Sequence, residues 1–321
     1  MGKKYDIITV GSGLIDASLQ TNIQEKNNFI KIPLGTKIPL DKIIFSSGGG
    51  GTNTARCASK LGMKTAFLGK IGSGYNAQII LRELKKSNVD FLGTTSKEHT
   101  GYSIILKSTN NRRTILTFKG ASDMLSYNEI NLKKLNTKWF HFTSMNDESF
   151  QTQKKLISFA IKNNIKISYN PGIKKINQGL GKIKKIIKNA DILQMNKEEA
   201  HTLVKKAKNE KEIFKKLHKL GAKIICITNG NKKGKISNGK NIYTFKPKKI
   251  TAKKSTGAGD VFAISFVSSM IKYDDIEKSI KIAIKSAQSI ITQQKNTGLL
   301  SLQQILKKIK HERVNISKEC W

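Results

Sequence analysis

The sequence predicts an α/β protein built around a doubly wound, mostly parallel β-sheet. Short β-branched runs alternate with amphipathic helical patterns along most of the 321 residues, and this alternation is typical of parallel βαβ units. A chain of this length, with 38% hydrophobic and 25% charged residues, can bury a large core. We therefore expect one α/β domain, alone or with a smaller appendage.

Six runs have the length and β-branched content of buried strands, and five helical segments fall between them. The predicted strands are 5–10, 64–69, 138–143, 165–170, 191–195 and 223–228. The predicted helices are 54–62, 77–88, 149–164, 197–207 and 212–221. The pairs Leu61-Gly62 and Leu220-Gly221 are typical helix ends, because glycine readily adopts the left-handed conformation that follows a helix.

Two segments interrupt this alternation. Residues 12–46 contain two prolines and no clear helical pattern, and residues 100–120 have the pattern of two strands joined at Asn110-Asn111. Together they predict a small β appendage that is discontinuous in sequence. A further hairpin is predicted over 234–245, with its turn at Asn238-Gly239.

The net charge of +37 allows two interpretations, a polyanion-binding protein or a chain with lysine on every solvated helix face. The lysines are spread along the whole length and do not alternate with aromatic residues, as a base-stacking platform would require. We therefore expect no specific nucleic-acid partner. The positive potential still favours anionic ligands.

The sequence predicts no membrane partner and no secreted form. No stretch approaches 18 uninterrupted apolar residues, and the apolar run near the N-terminus is too short for a secretory signal. The three cysteines are far apart, which argues against a disulfide framework and for a reducing, cytoplasmic location. The five histidines lack HExxH spacing, so we expect no zinc site.

Two glycine clusters lie in the first 62 residues. The segment VGSGLID (10–16) follows a predicted strand, but Asp16 occupies the third glycine position of a dinucleotide fingerprint and would repel a pyrophosphate. The segment SSGGGGTNTARCASKLG (46–62) contains no Walker loop. It is either a flexible loop or a backbone that approaches a ligand closely, with Asn53 available to bond a hydroxyl.

A third cluster, Thr256-Gly257-Ala258-Gly259-Asp260, precedes an apolar run with the pattern of a buried helix. Asp260 is the one acidic residue between Glu212 and Asp274. It could simply stabilise the start of the helix. Alternatively, it could be a base beside an anion site made by the free N–H groups of the first helical turn.

These motifs in this order resemble the ribokinase-like (PfkB) family of carbohydrate and nucleoside kinases. The two family signatures match at Gly48, Gly49, Gly51, Asn53 and Ala55 and at residues 256–260. The family's N-x-x-E element matches Asn196 to Glu199, its T-x-G turn matches Thr228 to Gly230, and RTILTFKGAS (113–122) is similar to its lid segment.

The resemblance implies a three-layer αβα fold with a small, discontinuous β-sheet lid. The expected division is an α/β kinase core over 1–11, 47–99 and 121–311, a β lid over 12–46 and 100–120, and a C-terminal tail over 312–321. It leaves open a homodimer formed through the lid.

The resemblance also implies the role of each matching residue. Asp260 would be the general base for the acceptor hydroxyl, and Gly257, Ala258 and Gly259 would form the anion hole for the γ-phosphoryl group. The implied substrate-binding residues are Asp16, Gly48, Gly49 and Asn53. Arg113 would close on substrate or phosphate, unless Arg112 and Arg113 are merely a solvated pair at the hairpin.

The implied co-substrate is ATP and the implied cofactor is Mg²⁺, with K⁺ activation left open. The implied nucleotide-binding residues are Asn196, Thr228, Gly230, Thr256, Gly257 and Gly259, and Glu199 would hold Mg²⁺ through water. The small-molecule acceptor would be a sugar, either a pentose, a hexose or a sugar acid.

Four departures from the family pattern affect this prediction. The family's glycine-rich element after the second strand matches residues 69–77, where Gly74 replaces its acid and Ala77 its last glycine. Ser255 replaces the usual first acid of the signature, Ser168 replaces an acid before Asn170, and Leu14 stands where ribokinases have asparagine. Leu14 is similar to the adenosine-kinase-like branch, so a nucleoside kinase is the alternative. A catalytically impaired relative that binds nucleic acid is a further alternative, based on Ser255 and on the charge.

Overall fold

The alternation of strands and helices produces two β-sheets of different size. The structure is a computed structural model that describes residues 3–110, 112–205, 207–248, 250, 257–292, 298–312 and 314–321. Ser255 and Thr256 therefore lie outside the described residues.

The strands are β1 Tyr5–Val10, β2 Leu14–Gln20, β3 Glu25–Lys26, β4 Phe29–Ile30, β5 Lys42–Gly48, β6 Thr65–Leu68, β7 Lys70–Ile71, β8 Val89–Phe91, β9 Thr94–Thr95, β10 Thr100–Lys107, β11 Arg113–Gly120, β12 Thr137–Phe142, β13 Lys166–Tyr169, β14 Ile192–Asn196, β15 Ile224–Thr228, β16 Gly234–Ser237, β17 Asn241–Phe245 and β18 Ile316–Cys320. The helices are α1 Gly50–Lys60, α2 Tyr75–Lys86, α3 Asp147–Lys162, α4 Ile173–Asn177, α5 Leu180–Lys188, α6 Lys197–Leu203, α7 Glu210–Lys219, α8 Ala258–Tyr273, α9 Ile276–Thr292 and α10 Leu302–His311. Short 3-10 turns cover Ala121–Asp123, Tyr127–Glu129 and Leu132–Lys134.

The main sheet has the strand order β18-β17-β16-β15-β14-β13-β12-β1-β6-β8. Its strands from β8 to β15 pair in parallel, and β16, β17 and β18 continue the sheet antiparallel. Successive parallel strands are joined by helices, as the sequence pattern predicts. The prediction of a doubly wound, mostly parallel sheet is confirmed.

Helices cover both faces of the main sheet and complete a three-layer αβα sandwich. On one face, apolar side chains of α3, α5, α6 and α7 form a continuous core with the sheet. On the other face, α1, α8, α9 and α10 form a second core. Helices α4, α5, α9 and α10 lie in regions without a predicted helix.

The six predicted strands and five predicted helices are all present. The largest differences in their bounds are four residues each: α1 begins at Gly50 and not at Thr54, and α6 ends at Leu203 and not at Ala207. The second glycine cluster is therefore largely the first turn of a helix and not a loop. Gly51 N–H donates to the Ser12 carbonyl at 3.0 Å, which fixes this turn against the chain that leaves β1.

The smaller sheet has the order β11-β10-β2-β5 and corresponds to the predicted lid; we call it the lid sheet. Its hairpin of β10 and β11 is antiparallel, as predicted, with Tyr102 opposite Phe118. Strand β2 lies between β10 and β5, and Asp16 pairs with Ser103 on one side and with Ser46 on the other.

Within the predicted C-terminal tail, residues Ile316–Cys320 form a strand of the main sheet. Strand β18 pairs antiparallel with β17, with Lys318 opposite Tyr243. Trp321 then packs edge-on against His218 and Phe214 of α7. This strand covers the backbone groups that β17 would otherwise expose at the sheet edge. Among the described residues, no helix is long and apolar enough to cross a membrane.

Candidate active site

A cavity of about 310 Å³ lies at the carboxyl ends of the central parallel strands. Residues at or just after the ends of β12, β13, β14 and β15 reach it, together with the first turns of α1, α6 and α8. Its described lining residues are Ser12, Gly50, Lys119, Thr143, Ser144, Asn170, Gly172, Gln194, Met195, Asn196, Glu199, Cys226, Thr228, Gly259, Asp260, Phe262 and Ala263. Ligands of open α/β sheets bind at this edge, so we take this cavity as the candidate active site.

The chain enters α8 at the cavity through a left-handed residue. Gly257 has φ of 80°, a region that glycine adopts without strain, and its carbonyl accepts from Val261 N–H at 2.9 Å. In an α-helix the N–H groups of the first turn have no partner within the helix, and the positive end of its dipole lies there. The predicted anion-hole residues Gly257, Ala258 and Gly259 thus occupy a helix start, with Gly259 on the cavity wall.

Asp260 lies in the same turn and lines the cavity. Burial is the main cause that raises the pKa of its carboxyl group to about 6. Repulsion from Glu199 and, more weakly, Asp16 also raises this pKa, while Lys119 lowers it. A carboxyl group with a pKa near 6 is largely ionised at neutral pH and is well matched to accept a proton there.

Asn53 faces the start of α8 from the first turn of α1. A Cβ atom built on Gly257 would lie 3.9 Å from Asn53 Nδ2, so the two helix starts approach each other closely. Gly49 caps α1 with φ of 96°, and Asn53 N–H donates to the Gly49 carbonyl at 3.0 Å. The fold therefore brings the glycine cluster and Asn53 to the same edge of the sheet as Asp260.

Asp16 belongs to the lid sheet and lies directly beside Gly48 of β5. A Cβ atom on Gly48 would lie 2.3 Å from Asp16 Oδ2, so any larger residue would displace this carboxylate. Asp16 influences the pKa values of both Asp260 and Lys119, so it lies within electrostatic reach of the cavity. This is the position that a ligand for substrate hydroxyls needs.

Asn196 and Glu199 hold each other at the start of α6. Glu199 N–H donates to Asn196 Oδ1 at 2.9 Å, and Asn196 N–H donates to Glu199 Oε2 at 2.9 Å. This capping box stabilises the helix start and fixes both side chains on the cavity wall. Burial raises the pKa of Glu199, and the bond from Asn196 opposes that effect. Thr228 pairs with Asn196 in the sheet and lines the same cavity.

The acidic residues fit an Mg²⁺ ion that is bound together with a nucleotide. Among the described residues, no group of three or more His, Cys, Asp or Glu side chains could hold a metal directly. Mg²⁺ takes most of its ligands from phosphate oxygens and water when it accompanies a nucleotide. The capping bond occupies Glu199 Oε2, and the other carboxylate oxygen can accept from a water molecule on the ion.

Of the described residues predicted for the site, Asn196, Glu199, Thr228, Gly259 and Asp260 line the cavity, whereas Asp16, Gly48, Gly49, Asn53, Arg113, Gly230, Gly257 and Ala258 do not. Gly230 follows β15 in a left-handed turn and does not line the cavity. Arg113 lies at the far end of β11, opposite Lys107, which itself pairs with Gln20. Gln20 is four residues from Asp16 along β2, or about 13 Å. The structure therefore does not bring Arg113 to the cavity.

Several polar lining residues were missed by the sequence prediction. Thr143 and Ser144 directly follow β12, and Gln194 lies in β14 with its Nε2 donating to the Ala263 carbonyl at 3.0 Å. Lys119 lies at the end of β11. Thr143 and Ser144 could have been found from their position after a predicted strand, because polar residues at the carboxyl ends of parallel strands line the same edge of a sheet.

Comparison with known proteins agrees with this geometry. The model of the pfkB family of carbohydrate kinases matches residues 7–304. An uncharacterized sugar kinase of Archaeoglobus fulgidus is 28% identical over 227 residues, which are 68% of this chain and 88% of the relative. A nucleoside kinase of Methanocaldococcus jannaschii is 28% identical over 330 residues, which cover 98% of this chain and all of the relative.

Solved structures show the same fold at lower identity. The crystal structure of a putative ribokinase II from E. coli, in complex with ATP and Mg²⁺, has a TM-score of 0.82. The two sequences are 17% identical, and the match covers 96% of this chain and 99% of the other. Because the family model spans nearly the whole chain, this protein belongs to the pfkB family of carbohydrate kinases, phosphotransferases that use an alcohol group as acceptor.

Proposed function

We propose that the protein transfers the γ-phosphoryl group of ATP to a hydroxyl group of a sugar, either a pentose, a hexose or a sugar acid. The observation that carries this proposal is the placement of Asp260, a half-buried carboxyl with a pKa raised to about 6, in the first turn of α8. The same turn presents the backbone of Gly257 to Gly259 for the transferring group.

The roles follow from this arrangement. Asp260 takes the proton of the acceptor hydroxyl as its oxygen attacks the γ-phosphorus. The N–H groups at the start of α8 stabilise the charge on the transferring phosphoryl group. Asp16 and Asn53 hold the other hydroxyl groups of the acceptor from the lid sheet and from α1. Thr256 remains a predicted nucleotide contact, as does Gly230.

Mg²⁺ would supply neutralisation of the phosphate charge when it is bound with ATP. Glu199 and Asn196 would hold its water molecules, because their capping box fixes them on the cavity wall beside Asp260. Arg113 would reach the substrate only through a movement of the lid sheet, so its role remains a prediction.

The lining of the cavity favours a sugar over a nucleoside as acceptor. Ser12, Thr143, Ser144 and Asn170 offer hydrogen-bonding groups, and Phe262 is the one aromatic residue among the described lining residues. A nucleoside base needs an apolar or stacking surface, whereas a free sugar needs several hydrogen-bond partners. The described lining of the cavity offers mainly hydrogen-bond partners, as a free sugar requires.

The test is a substrate panel with ADP release as the readout, in the presence and absence of K⁺. Free sugars and sugar acids are compared with adenosine and other nucleosides at equal concentration. Turnover with a sugar supports the proposal. Turnover with nucleosides and with no free sugar would establish the nucleoside kinase instead.

The base is tested with Asp260→Asn and a matched control, Asp275→Asn. Asp260→Asn should lower kcat about 10³-fold while ATP still binds. Asp275 is exposed and caps α9 by accepting from Lys278 N–H at 2.9 Å, a bond that asparagine can also accept. Asp275→Asn should leave kcat unchanged. Full activity of Asp260→Asn would overturn the assignment, and RNA affinity that falls steeply with salt would favour a nucleic-acid-binding relative.

We also propose that two copies associate through their lid sheets in the cytoplasm. Leu116, Ile104, Ala17 and Phe45 form one row across the sheet, and Leu116 and Phe45 are 54% and 58% exposed. Apolar side chains exposed on a sheet face are typical of an interaction surface. Light scattering should give a dimer for the wild type and a monomer for Phe45→Lys. A monomeric wild type would contradict this proposal.

A further inference from the structure

Lys119 is the one cationic residue among the described residues that line the cavity. It is the last residue but one of β11, next to the point where the lid sheet rejoins the core. Ala121 N–H there donates to the His99 carbonyl at 3.0 Å, which anchors this junction to the chain before β10. Lys119 therefore belongs to the lid sheet but reaches the cavity that contains Asp260.

The register of the lid sheet places Lys119 and Asp16 on the same face. Thr117 pairs with Ser103, and Ser103 pairs with Asp16. Lys119 is two residues beyond Thr117, so its side chain points to the same side of the pleated sheet.

Glycines occupy two of the three positions that follow Lys119 across the lid sheet. The paired residues across the sheet next to Lys119 are Gly101, Leu14 and Gly48. Both glycines allow close packing in this row: a Cβ atom on Gly48 would lie 2.3 Å from Asp16 Oδ2, and one on Gly101 would lie 2.2 Å from Leu14 Cδ2. Asp16 and Lys119 thus lie on one face of the lid sheet, and each influences the pKa of Asp260.

The charge of Lys119 lacks a close partner within the described residues. Burial lowers its pKa and Lys174 adds to this, while Asp123, Asp16 and Asp260 oppose it. Among the described residues, no carboxylate oxygen lies within 4.0 Å of Lys119 Nζ, the limit for an ion pair.

Two other lysines with little exposed side chain provide the comparison. Lys70 Nζ binds Glu129 at 2.6 Å, and Lys285 binds Glu312 at 2.5 Å. A partly buried ammonium group that faces a cavity without such a partner is expected to meet an anionic ligand there.

We propose that Lys119 is a further catalytic residue, whose ammonium group binds the transferring phosphoryl group between the acceptor on Asp16 and the base Asp260. This inference rests on the proposed kinase function. In the step, the acceptor oxygen forms a bond to the γ-phosphorus and its proton passes to Asp260. The bond from the γ-phosphorus to the bridging oxygen breaks, and that oxygen leaves with ADP. Lys119 stays protonated throughout and stabilises the charge on the equatorial oxygens.

This position also couples the lid sheet to the chemistry. Because Lys119 belongs to β11, any movement of the lid sheet away from the acceptor would carry its ammonium group with it. ATP bound without an acceptor would then be poorly activated toward water.

The experiment compares Lys119→Met and Lys119→Arg with the control Lys42→Met. Lys42 is exposed on β5 of the same sheet, six residues or about 20 Å from Gly48. We expect Lys119→Met to lower kcat about 10²-fold, with KM for ATP and for the acceptor changed less than threefold. Lys119→Arg should recover part of kcat, and Lys42→Met should match the wild type. Unfolding temperatures of all variants show whether the fold is kept.

A pH profile separates the catalytic role from a structural one. Lys119 lowers the pKa of Asp260, so its removal should shift the acid limb of kcat toward higher pH. An unchanged kcat and acid limb in Lys119→Met would overturn the inference. A loss confined to KM for acidic acceptors would also overturn it, because Lys119 would then bind the substrate's own charge. If Asp260→Asn keeps full activity, the proposed function itself fails, whatever the Lys119 variants show.

Discussion

Replacing Asp260 with asparagine should make the folded protein more stable at neutral pH while it removes activity. Burial and the nearby acids Glu199 and Asp16 raise the pKa of Asp260 from 3.8 to about 6. Such a difference from the unfolded chain penalises the ionised, folded state by up to about 3 kcal/mol. The positive end of the α8 dipole offsets part of this penalty, because it stabilises the negative charge of Asp260 by up to about 1 kcal/mol. Removing the charge should therefore stabilise the fold by about 2 kcal/mol.

The sign of this effect depends on pH. Between pH 4 and pH 6 the folded protein binds a proton at Asp260 that the unfolded chain has already lost, so stability falls as the pH rises through this window. Above pH 6 the penalty is complete and constant. Below pH 4 both states are protonated, so the wild type and Asp260→Asn should differ little.

Urea unfolding at pH 7.5 and at pH 4 measures this difference, with Asp275→Asn as the control. Asp260→Asn should have a higher free energy of unfolding at pH 7.5, and its advantage should shrink below about 1 kcal/mol at pH 4. An equal free energy of unfolding for the wild type and Asp260→Asn at pH 7.5 would refute the claim that the fold destabilises the ionised form of Asp260. If Asp260→Asn raises the free energy of unfolding by the same amount at both pH values, the gain comes from packing and not from the removed charge.

Three further predictions follow from the same site and fold. The acid limb of kcat should have a midpoint near pH 6, because Asp260 must be ionised to act; a midpoint near pH 4 would contradict its raised pKa. Gly48→Ala should raise KM for the acceptor more than tenfold with KM for ATP unchanged, because a Cβ atom would lie 2.3 Å from Asp16 Oδ2; equal kinetics would show that Asp16 does not hold the acceptor. Trp321→Ala should lower the free energy of unfolding by about 2 kcal/mol in a urea titration, since Trp321 packs on His218 and is 37% exposed. A smaller loss than 0.5 kcal/mol would mean that β18 contributes little.

Most of the core could be predicted from local sequence patterns. The strand before Asn196 and the helix after Asp260 combine apolar runs with strong end signals, and these depend on neighbouring residues alone. The predicted residues that line the cavity, such as Asn196, Glu199 and Asp260, lie in short motifs at element ends. Their convergence on one cavity follows from the parallel sheet, where strand ends share an edge.

The rest depends on contacts between residues far apart in sequence. Strand β18 has the sequence ISKEC, whose charged residues give no apolar pattern, and it is a strand because β17 offers an unpaired edge. The role of Lys119 depends on the register of β11 across Gly101, which no local pattern specifies. The family motif predicted that Arg113 belongs to the site, but the same register puts it about 13 Å from Asp16 along the lid sheet.

The proposed role of Asp260 as the base of a sugar kinase is open to a direct kinetic test. ADP release by the wild type and by Asp260→Asn is measured at pH 7.5 with Mg²⁺, saturating ATP and the best sugar from the panel. We expect turnover by the wild type and a loss of about 10³-fold in Asp260→Asn, with ATP affinity retained. A variant that keeps more than a tenth of the wild-type rate would contradict this role of Asp260.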